Sequence, residues 1–369
     1  MVGQTDQVQR VDVATYSVPT SAPEADGTFT WDATTVVAVT VTTGAVRGLG
    51  WTYGTRAAAT VIRDLLAPAV TGRDVHDVPG CFEAMRRAAR NAIVPGVVTT
   101  AISAMDVALW DAKAKLLGTP LSRLFGVGHE PVPVYGSGGF TSYDDDQLRT
   151  ELSGWVHQQG IPRVKIKIGE SWGRAEARDL HRMRLAREVI GPEAELFVDA
   201  NGGYQAKQAV RVAHAATDLD VRWFEEPVSS DNLAGLAEVR AAVTADIAAG
   251  EYGTDPGYFR QMCAAGAVDC LQIDLTRCGG FTGFLRAAAV ADSFGLQVSS
   301  HTAPQLHLRV APAVPNLRHL EWFTDHVRLE QRLFDGVVTP VDGMLPVAVE
   351  APGHGMTLKA ADSQAFRTA

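Results

Sequence analysis

From Lys167 onward the chain sets an acidic or basic residue at nearly even intervals: Asp199, Glu225, Glu251, Asp274, His301 and Glu321. The steps between them are 32, 26, 26, 23, 27 and 20 residues, each the length of one strand-helix unit. Each residue sits at or just past the end of an apolar, strand-like run. Such a rhythm restricts the fold to a parallel sheet, either open or closed into a barrel. Strands run from Pro133–Gly138 through Arg163–Ile168, Glu195–Val198 and Val221–Phe224 to Arg318–Leu320. They number eight, which favours a closed α/β barrel over an open sheet.

The segment Val164-Lys165-Ile166-Lys167-Ile168 alternates like a strand, with both lysines on one face. Two neighbouring ammonium groups repel, so at least one is expected to have a lowered pKa and to be able to act as a base. The first third reads differently. Val11–Val18, Val36–Thr43 and Gly44–Gly54 have strand character, and helical patterns follow over 57–70, 80–92 and 95–117. Ile102, Met105, Ala108, Leu109, Ala112 and Leu116 form a buried stripe on the last helix, which Gly118-Thr119-Pro120 stops. Strands followed by helices make an α+β domain. Gly343–Lys359 is a Gly- and Pro-punctuated tail without helical period.

The chain of 369 residues is 46% hydrophobic and 20% charged, the balance of a soluble globular enzyme. A net charge of −9 argues against nucleic-acid or anionic-membrane partners. No apolar run is long enough to span a membrane, and Met1 to Arg10 is polar and unlike a signal peptide. Cys81, Cys263, Cys270 and Cys278 have no CxxC spacing, so zinc and redox-pair chemistry are not suggested. A reduced, cytoplasmic setting and a homo-oligomer are expected.

Chemistry in such barrels gathers where strands end. Phe197, Asp199 and Asn201 lie on one side of their strand; Glu225 and Glu226 follow the next, one expected to face in and one out. Carboxylates converging at one mouth repel unless a cation neutralises them, and an all-oxygen set points to Mg²⁺ ahead of zinc or copper. Asp274 and His301 end neighbouring strands, so the carboxylate is able to accept the imidazole Nδ1–H and leave Nε2 at the mouth. Glu321 closes the last strand as a further acid, or as a donor if its apolar neighbours keep it neutral.

Lys-x-Lys, Val-Asp-Ala-Asn, Phe-Glu-Glu-Pro, then Gly-Glu, Asp, His and Glu together resemble the mandelate racemase subgroup of the enolase superfamily. The N-terminal strands and Ala108-Leu109-Trp110-Asp111 resemble its capping domain, so the likeness spans nearly the whole chain. It implies a (β/α)₇β modified TIM barrel over 126–335, an α+β cap over 1–125, and a C-terminal segment, 336–369, returning to the cap. It also implies Mg²⁺ on Asp199, Glu225 and Glu251, with Glu225 rather than Glu226 as ligand. Lys167, beside Lys165, is similar to the base on one substrate face, and the His301–Asp274 dyad to the acid/base on the other. Glu321 resembles the acid that hydrogen-bonds the substrate carboxylate, and Asn201 a residue contacting a substrate hydroxyl.

The implied substrate is a small carboxylate, a sugar acid, losing its α-hydrogen through a stabilised enediolate. Dehydration to a 2-keto-3-deoxy acid is favoured, because most of the subgroup are acid-sugar dehydratases. Racemisation or epimerisation of a 2-hydroxy acid stays open, as does a barrel that binds a carboxylate without turnover. Specificity is expected from cap loops over the mouth, Thr20–Trp31 and Trp51–Arg56, with Arg56 either gripping a distal group or lying at the surface.

Overall fold

The computed structural model of the chain describes residues 6–44, 46–92, 95–347 and 350–368. Parts of the expected spans, residues 1–5, 45, 93–94, 348–349 and 369, lie outside the described residues. Eight parallel strands close on themselves: β4 (Val132–Gly138), β5 (Arg163–Lys167), β6 (Glu195–Asp199), β7 (Val221–Glu225), β8 (Asp246–Ala249), β9 (Cys270–Ile273), β10 (Gln297–Ser300) and β11 (Leu317–Phe323). Each pairs with the next, and β11 pairs with β4 to complete the ring. Closure removes both sheet edges, so every barrel strand is a buried one.

Alternation decides what fills the ring. Val164, Ile166 and Ile168 belong to the large apolar core, which holds residues from both the strands and the surrounding helices. Tyr135, Phe197, Trp223, Ala248 and Cys270 form a separate cluster. Phe197 stacks on Trp223, and His319 packs against both rings. Lys165 Nζ lies 5.3 Å from the centroid of Tyr135, so this aromatic cluster underlies the polar groups of the barrel.

Three antiparallel strands precede the barrel: β1 (Arg10–Ala25), β2 (Thr30–Thr43) and β3 (Val46–Tyr53). They pack on the helix Val97–Leu116, most of whose side chains are buried. Gly50 permits this contact, since a Cβ there would lie 2.3 Å from the Ala104 carbonyl oxygen. On the barrel side, Asp106 accepts from Thr282 N at 3.0 Å and Thr282 Oγ1 at 2.6 Å, joining that helix to the barrel helix Gly280–Ser293. Among the described residues no helix is long and apolar enough to cross a membrane.

The expected Thr20–Trp31 loop is instead mostly strand. β1 runs to Ala25, with its register shifting between Pro19 and Glu24, and 26–29 alone make the turn into β2. β1 is an edge strand, where proline and a register shift are tolerated. The turn is held on the barrel: Thr141 N donates to Ala25 O at 2.8 Å, and Trp172 N to Gly27 O at 2.9 Å. A Cβ on Gly27 would sit 2.5 Å from the Ile168 carbonyl oxygen, so this approach requires glycine.

Past the barrel, β12 (Phe334–Asp335) pairs with β14 (Thr357–Leu358), and β13 (Met344–Leu345) pairs with the start of β4. The tail then meets the cap, where Thr368 N donates to Thr15 O at 2.8 Å. Asp111, fully buried, ties three segments together. It accepts from Leu49 N at 2.8 Å, His354 N at 2.9 Å and Lys115 Nζ at 2.6 Å. Asp111→Ala strands these donors and is expected to cost about 3 kcal/mol in urea unfolding. Asp111→Asn keeps only one of the two acceptor oxygens and sets its amide N–H against the other donor, so it should destabilise as well; a loss near zero in both variants would mean that these hydrogen bonds do not hold the segments together.

Candidate active site

Strand register brings the first three groups side by side. Lys167 pairs with Asp199, and Asp199 with Glu225, as the last residues of β5, β6 and β7. Glu251 follows β8 after Gly250, whose φ of +134° and closeness to the Gln272 carbonyl exclude a side chain. One oxygen from each of Asp199, Glu225 and Glu251 lies within 4.8 Å of the others, and all three residues are buried. Glu225 is anchored from below by Trp223 Nε1 and Gln272 Nε2, each 2.9 Å from Oε2.

Glu226 does not face outward as expected. It is 1% exposed, with a φ of +37°, and its Oε1 has no hydrogen-bond partner among the described residues. Burial, together with Glu251, Asp199 and Glu225, holds its pKa well above the carboxylate range. Glu225 is pushed up to about 8 by burial, with Lys165 pulling down and Asp199 and Glu321 pushing up. Negative charge is therefore in excess at this mouth. Three carboxylates with no nitrogen or sulfur ligand suit a hard divalent cation that relieves it.

The expectation of a lowered lysine pKa is overturned. Lys165 is fully buried, 2.6 Å from Glu225 Oε1, 2.8 Å from Glu321 Oε1 and 3.9 Å from Asp199 Oδ2. Burial opposes its charge, but these three carboxylates outweigh burial and raise its pKa. Lys167 contacts Asp199 Oδ2, and its pKa rises too: burial and Lys165 act downward, while Asp199, Glu225 and Glu251 prevail. Repulsion along one strand is the smaller effect here, because several acids from neighbouring strands lie within a few ångströms of the two ammonium groups.

His301 and Asp274 meet across β10 and β9, with Nδ1 2.9 Å from Asp274 Oδ2. His301 Nε2 is 3.4 Å from Glu251 Oε2. Burial lowers the imidazole pKa and Arg277 opposes protonation, yet Glu251 and Asp274 raise it overall. Thr276 N and Oγ1 donate to Asp274 Oδ1 at 2.7 and 2.6 Å. Asp274 stays well below its usual range: burial acts upward, but His301 and Arg277 outweigh it.

Sequence reasoning missed Arg277, which reaches Glu251 Oε1 at 3.1 Å and Asp274 Oδ2 at 3.3 Å. Its only signal is its place three residues after Asp274. Glu321 lies inside β11 rather than at its end, paired with Tyr135. It accepts from Ser137 Oγ and Thr302 N, each at 2.6 Å. Burial alone would favour its neutral form; Lys165, His301 and Lys167 reverse that and hold it ionised. Asn201 has φ +45° and its Oδ1 lacks a partner among the described residues.

These groups open into a cavity of about 610 Å³ between barrel and cap. Lys167, Asn201, Glu251, Asp274 and His301 line one side, and Asp26, Phe29, Trp31, Thr34 and Tyr53 come from the cap. Arg56 is exposed and is not among the lining residues. Glu24, behind the cap wall, accepts from Trp31 Nε1 at 3.0 Å. Its pKa rises from the usual 4.5 to about 8 through burial and Asp325, against Arg328 and Trp31. A folded-state pKa above the unfolded one means stability is fully present at low pH and falls as pH rises from about 4.5 to about 8. Glu24→Gln keeps the acceptor for Trp31 without the charge. Its gain in melting temperature over wild type should grow across that window and level off above it; a gain independent of pH would refute the assignment.

Two family models cover the chain: "Mandelate racemase / muconate lactonizing enzyme, N-terminal domain" over residues 10–126, and "Enolase C-terminal domain-like" over 147–363. The L-talarate/galactarate dehydratase of Salmonella typhimurium is 31% identical over 78% of this chain and 73% of its own length. Its structure liganded with Mg and L-lyxarohydroxamate superposes with a TM-score of 0.89 at 27% identity, covering 97% of this chain and 92% of that one. The 3,6-anhydro-alpha-L-galactonate cycloisomerase of Streptomyces coelicolor is 32% identical over 84% of this chain and 85% of its own. A mandelate racemase/muconate lactonizing enzyme-like protein from Rubrobacter xylanophilus is 43% identical, with a TM-score of 0.94 over 98% of this chain and 100% of that one. With both family models matched in order and the closed barrel beneath its cap, the chain belongs to the mandelate racemase/muconate lactonizing enzyme family of the enolase superfamily.

Proposed function

We propose that the protein is a Mg²⁺-dependent lyase that dehydrates a sugar acid to a 2-keto-3-deoxy acid. One observation carries the reading: the Asp199, Glu225 and Glu251 carboxylates lie between two separate proton carriers, Lys167 on β5 and the His301–Asp274 pair beyond β10 and β9. In this reading the cap is 1–125, the barrel 126–335 and the returning segment 336–369. Magnesium on the three carboxylates would neutralise charge building on the substrate carboxylate as the α-hydrogen leaves.

The chain's own groups do the rest. Asp199, which Lys167 contacts, would also be one of the residues holding the cation; with its charge so engaged it would hold the Lys167 ammonium less strongly, and Lys167 would give up its proton more readily. Neutral Lys167 takes the α-proton, leaving an enediolate beside the Lys165 ammonium. Glu321, ionised, holds that ammonium in place; to donate to the substrate carboxylate it must first gain a proton, which a nearby substrate anion favours. Asp274 accepts from His301 Nδ1–H and directs Nε2 into the cavity, where imidazolium protonates the departing β-hydroxyl. Water leaves as the C–O bond breaks, and the enol product becomes the ketone. Asn201 would bind a substrate hydroxyl. Because both proton carriers are present, return of a proton to the opposite face, epimerisation, is the second reading.

Chelated protein should lose activity and regain it with Mg²⁺, and Glu251→Gln should weaken Mg²⁺ binding in calorimetry. Retained tight binding by that variant would place the ion elsewhere. Lys167→Ala and His301→Asn should each abolish turnover while keeping Mg²⁺ affinity. Asp274→Asn should cost at least about a hundredfold in turnover, measured as keto product; wild-type turnover would remove Asp274 from the mechanism. The same reading puts the protein in the cytoplasm as a homo-oligomer. The four buried free cysteines fit such a reducing compartment, and light scattering tests the assembly.

A further inference from the structure

The cavity is unevenly charged, and that asymmetry bears on the tail of the substrate. Among the described lining residues the cations are Lys167 and Arg277, and both stand at the catalytic end. Lys167 contacts Asp199, while Arg277 bridges Glu251 and Asp274. On the cap side the lining offers Asp26, Asp325, His326 and the hydroxyls of Thr28, Thr34 and Tyr53. Asp26 Oδ1 already accepts from Phe29 N at 2.7 Å and Thr28 Oγ1 at 3.0 Å. Thr34 Oγ1 donates to Asp325 Oδ2 at 2.5 Å, and Arg328 is engaged by Asp325 Oδ1 and the Pro19 carbonyl.

His326 supplies no charge either. Its Nδ1 accepts from Ala303 N at 3.2 Å, which leaves the proton on Nε2, and burial lowers its pKa to about 4. A carboxylate placed at this end would meet two acidic side chains and no uncommitted cation. A chain of hydroxyls would find acceptors in the acids and in the Thr28 and Thr34 oxygens, whose own hydrogens are spent on Asp26 and Asp325, and a donor in His326 Nε2–H. Asp325 is balanced by Arg328, so the unbalanced charge that a carboxylate tail would meet here is that of Asp26.

Resting on the dehydration reading above, we infer that the substrate carries one carboxylate, bound at the catalytic end, and an uncharged polyhydroxy tail against the cap. The protein would act on an aldonate-type monoacid and reject the matching diacid. This separates it from its Salmonella relative, whose named substrates are diacids.

The test uses the full chain with Mg²⁺ and pairs of six-carbon sugar acids of the same configuration, one the monoacid and one the diacid. Solvent deuterium exchange at the α-carbon and keto product are both followed. The monoacid of the active pair should lead in kcat/KM by at least about a hundredfold, the scale of one uncompensated like-charge contact at a few ångströms in a partly buried site. Asp26→Asn keeps an acceptor oxygen for the turn and should narrow that ratio about tenfold. Thr35→Lys, which brings a cation to the cap wall, should narrow it as well. Diacid turnover equal to or above monoacid turnover, or preference for an ammonium-tailed acid, would overturn the inference while leaving the α-proton chemistry standing. A panel with no α-exchange at all would overturn the proposed function, and this inference with it.

Discussion

The site depends on one buried ammonium. Lys165 has no exposed surface and touches Glu225 and Glu321 from β7 and β11, with Asp199 of β6 within 4 Å. Without it Glu225 and Glu321 would lose their shared counter-charge in a low-dielectric lumen, leaving only Asp199 paired, through Lys167, at a cost of several kcal/mol per uncompensated charge. The aromatic cluster of Tyr135, Phe197 and Trp223 supports this layer, and Trp223 and Gln272 fix Glu225 by hydrogen bonds. On the proposed reading chemistry and stability are therefore coupled: the charges that would serve proton abstraction are tolerable because they compensate one another.

Above that layer the backbone turns sharply. Asn201, Glu226, Thr302 and Ala303, just past β6, β7 and β10, all take positive φ without being glycine. Left-handed backbone at such residues is strained and persists where surrounding contacts enforce it, commonly at functional sites. Here the turns keep the segments after the strands close to the mouth. Glu226 is drawn inward by such a turn, and Thr302 offers its N–H to Glu321.

The cap contributes walls rather than reacting groups. Its hairpin tip is held by backbone hydrogen bonds and by a glycine contact closer than any side chain permits, so Asp26 and Trp31 are positioned by the barrel they cover. Arg277 plays a comparable part inside the barrel, bridging Glu251 and Asp274 and so joining two groups to which the proposed mechanism gives separate roles. On the proposed reading, selection among substrates falls to the hairpin, which lines the cavity and whose edge-strand position tolerates change.

Much of this was legible in the sequence. Period-two alternation and even spacing are local properties, and they announce parallel strands with charged residues at their ends wherever the chain is read. The steps from Lys167 to Glu321 thus pointed to the barrel and to Asp199, Glu225, Glu251, Asp274 and His301 as neighbours at one mouth. The resemblance added a choice between Glu225 and Glu226 that alternation left open. Protonation was decided by the tertiary structure alone. Lys165 and Lys167 are raised and Glu321 is ionised because acids and bases from distant strands sum at a few ångströms, and no short window of sequence contains that sum. For the same reason Arg277, the inward Glu226 and the hairpin in place of a loop emerged only on folding: each depends on contacts between residues far apart in the chain.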